Sequence, residues 1–295
     1  MKRKAFLAIV LGSLLAGMSG ILIKNMQIPA TSMAWVRMTI PTVVLGCWMW
    51  KNDISFFRGN MKLMLTASSM NTIRLYFFFI AYIYADLSNA VLVFYTWPIF
   101  ATVFSYYLLK EDVTRRQVLI LVIAFTGILL VYSSHEFSVD STEFIGISAA
   151  LASAFFYSLM VIIFKYESDH YQPGESVFYQ NLVGSLVYLP FIIINEPRPN
   201  SLDWALSSTH GVVVGILVFY CFFFGLKHLK ASTTSMITYL EIVSAVCVGV
   251  IFFDEVLSWN IMLGGALIIG STSLLKTQND DSLNNDTLST TEGHT

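Results

Sequence analysis

Apolar residues run along this chain in long blocks separated by short polar or charged segments. Hydrocarbon about 30 Å thick is crossed by about 20 helical residues, so blocks of roughly 17–25 residues with at most one charge predict membrane-spanning helices. Ten blocks qualify, at residues 5–23, 30–50, 63–83, 88–109, 117–134, 144–165, 175–194, 210–226, 232–253 and 257–275. Lys2, Arg3 and Lys4 precede the first block, but it is too long for a cleaved leader and nine more follow. The longest connection, 195–209, leaves no room for an inserted soluble domain. After Lys276 the chain turns polar, which predicts a disordered tail over 277–295.

Loop charge gives the orientation. With the N-terminus in the cytoplasm, Lys24 and Arg198 are the only basic residues in outer loops. Lys2, Arg3, Lys4, Lys51, Arg58, Lys62, Lys110, Arg115, Arg116, Lys165, Lys227, Lys230 and Lys276 fall inside. Both termini are expected to be cytoplasmic.

Composition agrees with a lipid environment. Hydrophobic residues make up 56% of the 295 and charged residues 12%, and mean hydropathy is +0.67. A soluble domain has about twice that charged fraction. The net charge of −2 leaves no basic footprint for nucleic acid. Cys47, Cys221 and Cys247 lie in apolar runs with no metal-ligand or disulfide spacing. No nucleotide-binding glycine loop, zinc motif or potassium-filter run occurs, so no cofactor, metal site or catalytic residue is predicted.

The chain matches itself at an offset of 144 residues: Tyr76 to Glu111 lies over Tyr220 to Glu255 without a gap, pairing Tyr95 with Tyr239 and Glu111 with Glu255. Five spans per half is an odd number, so the second half is inverted relative to the first. Asp86 corresponds to Lys230 and Lys110 to Asp254, the sign swap that inversion demands. The predicted fold is an all-α integral membrane protein, ten transmembrane helices in two inverted five-helix repeats, 1–134 and 143–276. Such halves can rock about a site near the membrane midplane.

Charges at bilayer depth cost at least about 2.5–3.5 kcal/mol each and face a cavity or a partner. Arg37, Arg74 and Glu241 are the three. Arg74 and Glu241 lie near mid-span, positioned either to neutralise each other or to engage a zwitterionic or anionic solute. Arg37, about seven residues into its span, is either a third solute contact or a snorkelling or capping residue. Tyr76, Tyr95, Trp97, Tyr157 and Tyr239 carry polar groups within spans and are candidate solute contacts, with helix packing as the alternative. Pro98 interrupts its span as a kink or gate, as Pro41 and Pro190 do theirs. Gly12, Ser13, Ala16, Gly17, Ser19 and Gly20 form a small-residue series for close helix packing. Gly17-Met18-Ser19-Gly20 resembles an intramembrane protease motif, but all five histidines fall in loops, at span ends or in the tail, so Ser19 reads as packing. Glu111 and Glu255, at loop edges, read as helix-capping groups.

With these residues in place, the chain resembles the EamA-like branch of the drug/metabolite transporter superfamily over about residues 5–275. The resemblance rests on Trp97-Pro98 followed by Leu108-Leu109-Lys110-Glu111, on Tyr239-Leu240-Glu241 followed by Phe252-Phe253-Asp254-Glu255, on Gly127 and Gly264, and on Arg37 in the second span. The family often has proline after the glutamate of the ninth span, where this chain has Ile242. The glycine that usually precedes its loop glutamate is Lys110 or Asp254 here. The resemblance implies a cavity lined by spans 1, 3, 4, 6, 8 and 9 and substrates among amino acids and related metabolites.

The expected function is secondary transport of a small organic solute by alternating access, with no enzymatic activity. Proton or sodium is the expected coupling ion, and Glu241 the first residue to suspect for a proton. An intramembrane enzyme and a lipid-handling or structural membrane protein are the alternatives.

Overall fold

The structure, a computed structural model, describes residues 1–85, 87–133, 141–194, 198–253 and 258–292. Among them every regular element is helical and no strand occurs, and a helix satisfies its own backbone hydrogen bonds within lipid. Six stretches are long and apolar enough to cross a bilayer: Lys2–Ile23, Met61–Tyr84, Asn89–Leu108, Glu143–Tyr166, Ser201–His228 and Ala231–Phe253. The protein is thus an all-α integral membrane protein. The other apolar blocks coincide with helices that are shorter or more polar.

In chain order the helices are α1 (Lys2–Met18), α2 (Gly20–Lys24), α3 (Ala30–Lys51), α4 (Met61–Tyr84), α5 (Leu87–Phe94), α6 (Trp97–Leu108), α7 (Arg115–Val131) and α8 (Ser141–Tyr166). They continue with α9 (Pro173–Val187), α10 (Leu189–Ile194), α11 (Ser201–His210), a π-helical segment (Gly211–Val218), α12 (Phe219–His228), α13 (Ala231–Ile237), α14 (Leu240–Phe253) and α15 (Trp259–Glu292).

Local chemistry sets these boundaries. Thr114 and Gln117 form a reciprocal capping box at the start of α7, and Gln172 and Glu175 do the same for α9, with Pro173 in its first turn. Pro98 has no N–H to offer the preceding turn, and α5 gives way to α6 just before it. The expected 195–209 connection contains helix among its described residues: Asn200 and Asp203 build a capping box that starts helix at Ser201, nine residues ahead of the expected span. The helical backbone of α15 also continues through the polar stretch after Lys276 to Glu292, because extending a nucleated helix costs little per residue.

Packing follows the small residues. α4 lies along α8, α3 along α9, and α1 against both α14 and α12. Between α7 and α15, a side chain on Gly127 or Gly264 would collide with the other's carbonyl oxygen. Gly17 of α1 lies directly against the carbonyl of Glu241, and Ser244 Oγ donates to Leu14 O at 2.7 Å. These contacts are the close backbone approach that the small-residue series of the first span predicts.

One end of the bundle is tied shut by polar contacts. The Glu111 carboxylate accepts the Ala231 N–H at 3.0 and 2.9 Å, capping α13 from across the chain. Lys230 Nζ donates to Asp112 O at 2.6 Å, and Lys165 Nζ donates to Leu226 O and Leu229 O at the C-terminus of α12. Arg58 pairs with buried Glu175, and Tyr171 Oη donates to Arg58 O at 2.8 Å. Glu111 therefore has the capping role expected of it, while Glu255 lies outside the described residues.

Candidate functional site

At the centre of the bundle is a cavity of about 360 Å³, within the size range of small-molecule sites. Its wall reaches from mid-bundle residues such as Trp97 and Tyr157 to Ser19, Ile23, Ala30 and Met33. It therefore extends away from the tied end, towards the end bearing the α2–α3 connection.

Arg37, Arg74 and Glu241 all line it. Each is positioned by a specific packing device. Pro41 lacks the N–H that would bond the Arg37 carbonyl, and Gly215 of the π-helical segment approaches that carbonyl so closely that a Cβ there would lie 2.9 Å from it. Arg74 sits one turn after Asn71, whose Oδ1 accepts from Arg74 Nη2 at 3.1 Å, while Ser153 Oγ donates to the Arg74 carbonyl at 2.9 Å. Glu241 rides on the α14 backbone where Gly17 lets it approach α1.

The guanidinium groups rest on aromatic faces. Arg37 lies over Phe219, 5.5 Å from the ring centroid, and Arg74 over Tyr157 and Phe94 at 4.8 and 5.8 Å. Trp97 meets Tyr157 edge-on at 4.6 Å, and Ser158 Oγ donates to the Trp97 carbonyl at 2.7 Å. Among the described residues neither arginine forms an ion pair with Glu241 within 4.0 Å. The Nε atoms of both arginines and Nδ1 of His210 are buried without a hydrogen-bond partner. The cavity thus holds two cations, one carboxylate and unused donors, beside aromatic walls.

Of the predicted contacts, Arg37, Arg74, Tyr95, Trp97, Tyr157 and Glu241 reach the cavity. Tyr76 does not: two residues beyond Arg74 it points about 200° away around α4, and it is 58% exposed on the outside of the bundle. Tyr239 is fully buried behind the wall, where its hydroxyl donates to the Tyr95 carbonyl. Pro98 is buried in the first turn of α6, at the α5–α6 break. Snorkelling is not the arrangement of Arg37, whose guanidinium faces inward over Phe219.

His210 is a correction. It was expected at a span end, but because α11 begins at Ser201, His210 lies inside a continuous helical stretch, 3% exposed, in the cavity wall. The Asn200/Asp203 capping box was the sequence signal for it. Ser19 also lines the cavity, yet its Oγ donates to Ala16 O at 2.6 Å, a helix-terminal packing contact. Phe219, Phe222 and Thr238 complete wall positions that sequence reasoning did not single out. Among the described residues no cluster of metal-ligating side chains occurs.

A helical membrane protein built around a charged, aromatic-walled central cavity defines the class. The model of the EamA-like transporter family matches residues 3–133 and 144–277, and the chain belongs to that family, within the drug/metabolite transporter superfamily. It is 25% identical over 270 residues to the pseudopaline exporter CntI of Pseudomonas aeruginosa, covering 90% of this chain and 94% of that one. It is 25% identical over 190 residues to the uncharacterized transporter YoaV of Bacillus subtilis (63% and 65% covered) and 24% identical over 190 residues to an S-adenosylmethionine uptake transporter of Rickettsia conorii (64% and 62% covered). In these two cases the match spans just under two thirds of the relative's length. A protein of known crystal structure shares the fold with a TM-score of 0.78 at 20% identity, over 93% of this chain and 97% of that one.

Proposed function

We propose that the protein is a secondary transporter that carries a small organic solute, an amino acid or related metabolite, by alternating access. The observation that carries this reading is the trio Arg37, Arg74 and Glu241 in one cavity with no ion pair among them. Charges held at bilayer depth for structure alone would neutralise one another directly. Trp97, Tyr157 and Tyr95 supply apolar surface for the body of a solute.

In this reading the chain crosses the membrane ten times, the six long apolar stretches being joined by α3, α7, α9 with α10, and the apolar part of α15 (Trp259–Leu275). The 144-residue register and the two segments of the family match support two inverted halves, 1–134 and 143–276, with a polar tail after them. The tied end carries Arg58, Lys110, Lys165, Lys227 and Lys230 and is the cytoplasmic end by the positive-inside rule. Both termini then lie in the cytoplasm of a bacterial cell and the cavity faces outward. Glu241 is the carboxylate in the wall and the group that would carry a coupling proton.

Proteoliposomes holding the purified protein, offered a mixed metabolite pool under a proton or sodium gradient and read by mass spectrometry, test the reading. Selective accumulation, lost in Arg74→Ala, is expected. Glu241→Gln is expected to abolish dependence on the proton gradient. No accumulation under either gradient would overturn the transporter reading and favour lipid handling.

A further inference from the structure

The charge and donor count of the cavity goes further than its location. Two guanidinium groups and one carboxylate face it, and arginine does not give up its proton in proteins, so with Glu241 ionised the wall carries one positive charge in excess. Arg37, Arg74 and Glu241 line the same cavity of about 360 Å³.

Each guanidinium offers a planar fork of N–H donors suited to a bidentate carboxylate. Among the described residues Arg37 donates to no protein acceptor and Arg74 only to Asn71. One carboxylate on the solute would answer one fork and leave the other unsatisfied in a low-dielectric site, where unpaired donors are costly. Glu241, without a side-chain hydrogen bond among the described residues, is the complementary acceptor for an ammonium group.

We propose that the solute is an amino dicarboxylate, with one carboxylate on Arg37, the other on Arg74 and its ammonium on Glu241. The inference rests on the transport reading above and narrows its substrate class. A neutral zwitterion leaves a cation uncompensated, and a cationic solute adds to the excess.

The test uses matched solutes that differ by one group. Proteoliposomes with the full-length protein are offered L-glutamate, L-glutamine, glutarate and L-lysine, each radiolabelled, and thermal unfolding of the purified protein is followed with each. L-Glutamate is expected to be taken up at least about tenfold better than L-glutamine, which lacks the second charge, and than glutarate, which lacks the ammonium, since a site built for a polar group rejects analogues without it. L-Lysine is expected to be excluded. Arg37→Gln and Arg74→Gln are each expected to remove the glutamate preference and the glutamate-dependent stabilisation, with ligand-free unfolding curves showing that the variants are folded.

Preference for glutamine or lysine, or stabilisation by neither member of the glutamate and glutamine pair, overturns the inference. The broader reading fails separately: it falls if the wild type accumulates nothing from the mixed pool under either gradient, whereas mixed-pool transport without a glutamate preference overturns the inference alone.

Discussion

The Tyr239 hydroxyl donates to the backbone carbonyl of Tyr95 across 3.0 Å, and the two rings meet edge to face with centroids 6.3 Å apart. These residues are mates in the 144-residue register. The bond closes over the α5–α6 break and fixes the strip of backbone that delivers Tyr95 and Trp97 to the cavity. Tyr239→Phe is expected to lower stability by about 1 kcal/mol, the net worth of a buried hydrogen bond, read as an earlier thermal unfolding transition. Transport should fall less than in Arg74→Ala, since Tyr239 lies behind the wall.

Gly17 and Gly20 provide a matched pair on the first span. A Cβ on Gly17 meets the Glu241 carbonyl, the Ser244 side chain and the Ala245 nitrogen, whereas nothing lies within 4 Å of one on Gly20. Gly17→Leu should cost at least about 1–3 kcal/mol through overpacking and displace Glu241, with loss of transport. Gly20→Ala should leave both unchanged. Equal effects on unfolding temperature would refute the proposed seam.

Lys110 has φ 57°, the left-handed region that glycine adopts freely, and the Glu111 N–H turns back to the Ser105 carbonyl at 3.1 Å. Lys110→Gly should relieve about 1 kcal/mol of local strain, offset in part by added freedom of the unfolded chain. A small rise in unfolding temperature is expected, and a fall would show that the lysine side chain contributes more than its backbone costs.

Glu111 caps α13 across the tied end. Removing a cap costs about 1 kcal/mol, so Glu111→Ala should speed hydrogen exchange of the first-turn amides of α13 by about fivefold. Unchanged exchange would show that the cap does not hold this end closed.

The wall of the candidate site was legible where a residue violated the rules of its solvent. Arg74 and Glu241 stood out because charge in hydrocarbon is costly, and Trp97, Tyr95 and Tyr157 because buried hydroxyl and indole groups need partners. Tyr76 misled because rarity of type says nothing about angle around a helix. His210 was missed because its helix begins in a polar stretch, where a capping box rather than hydropathy marks the start. The π-helical segment at Gly211–Val218 has no composition of its own. It is set by what packs against it, Pro41 and the freed Arg37 carbonyl, which lie far away in the chain.

That same proline-freed carbonyl has a mechanical consequence. Arg37 stands four residues before Pro41, on the stretch of α3 where the helical ladder is interrupted, whereas Arg74 is anchored through Asn71 and Ser153 to the firmly packed α4 and α8. Tilting α3 about Pro41 therefore changes the spacing of two like charges. Their repulsion then acts as a spring that the anionic solute proposed above would slacken, which would make occupancy and helix tilt two readings of a single coordinate.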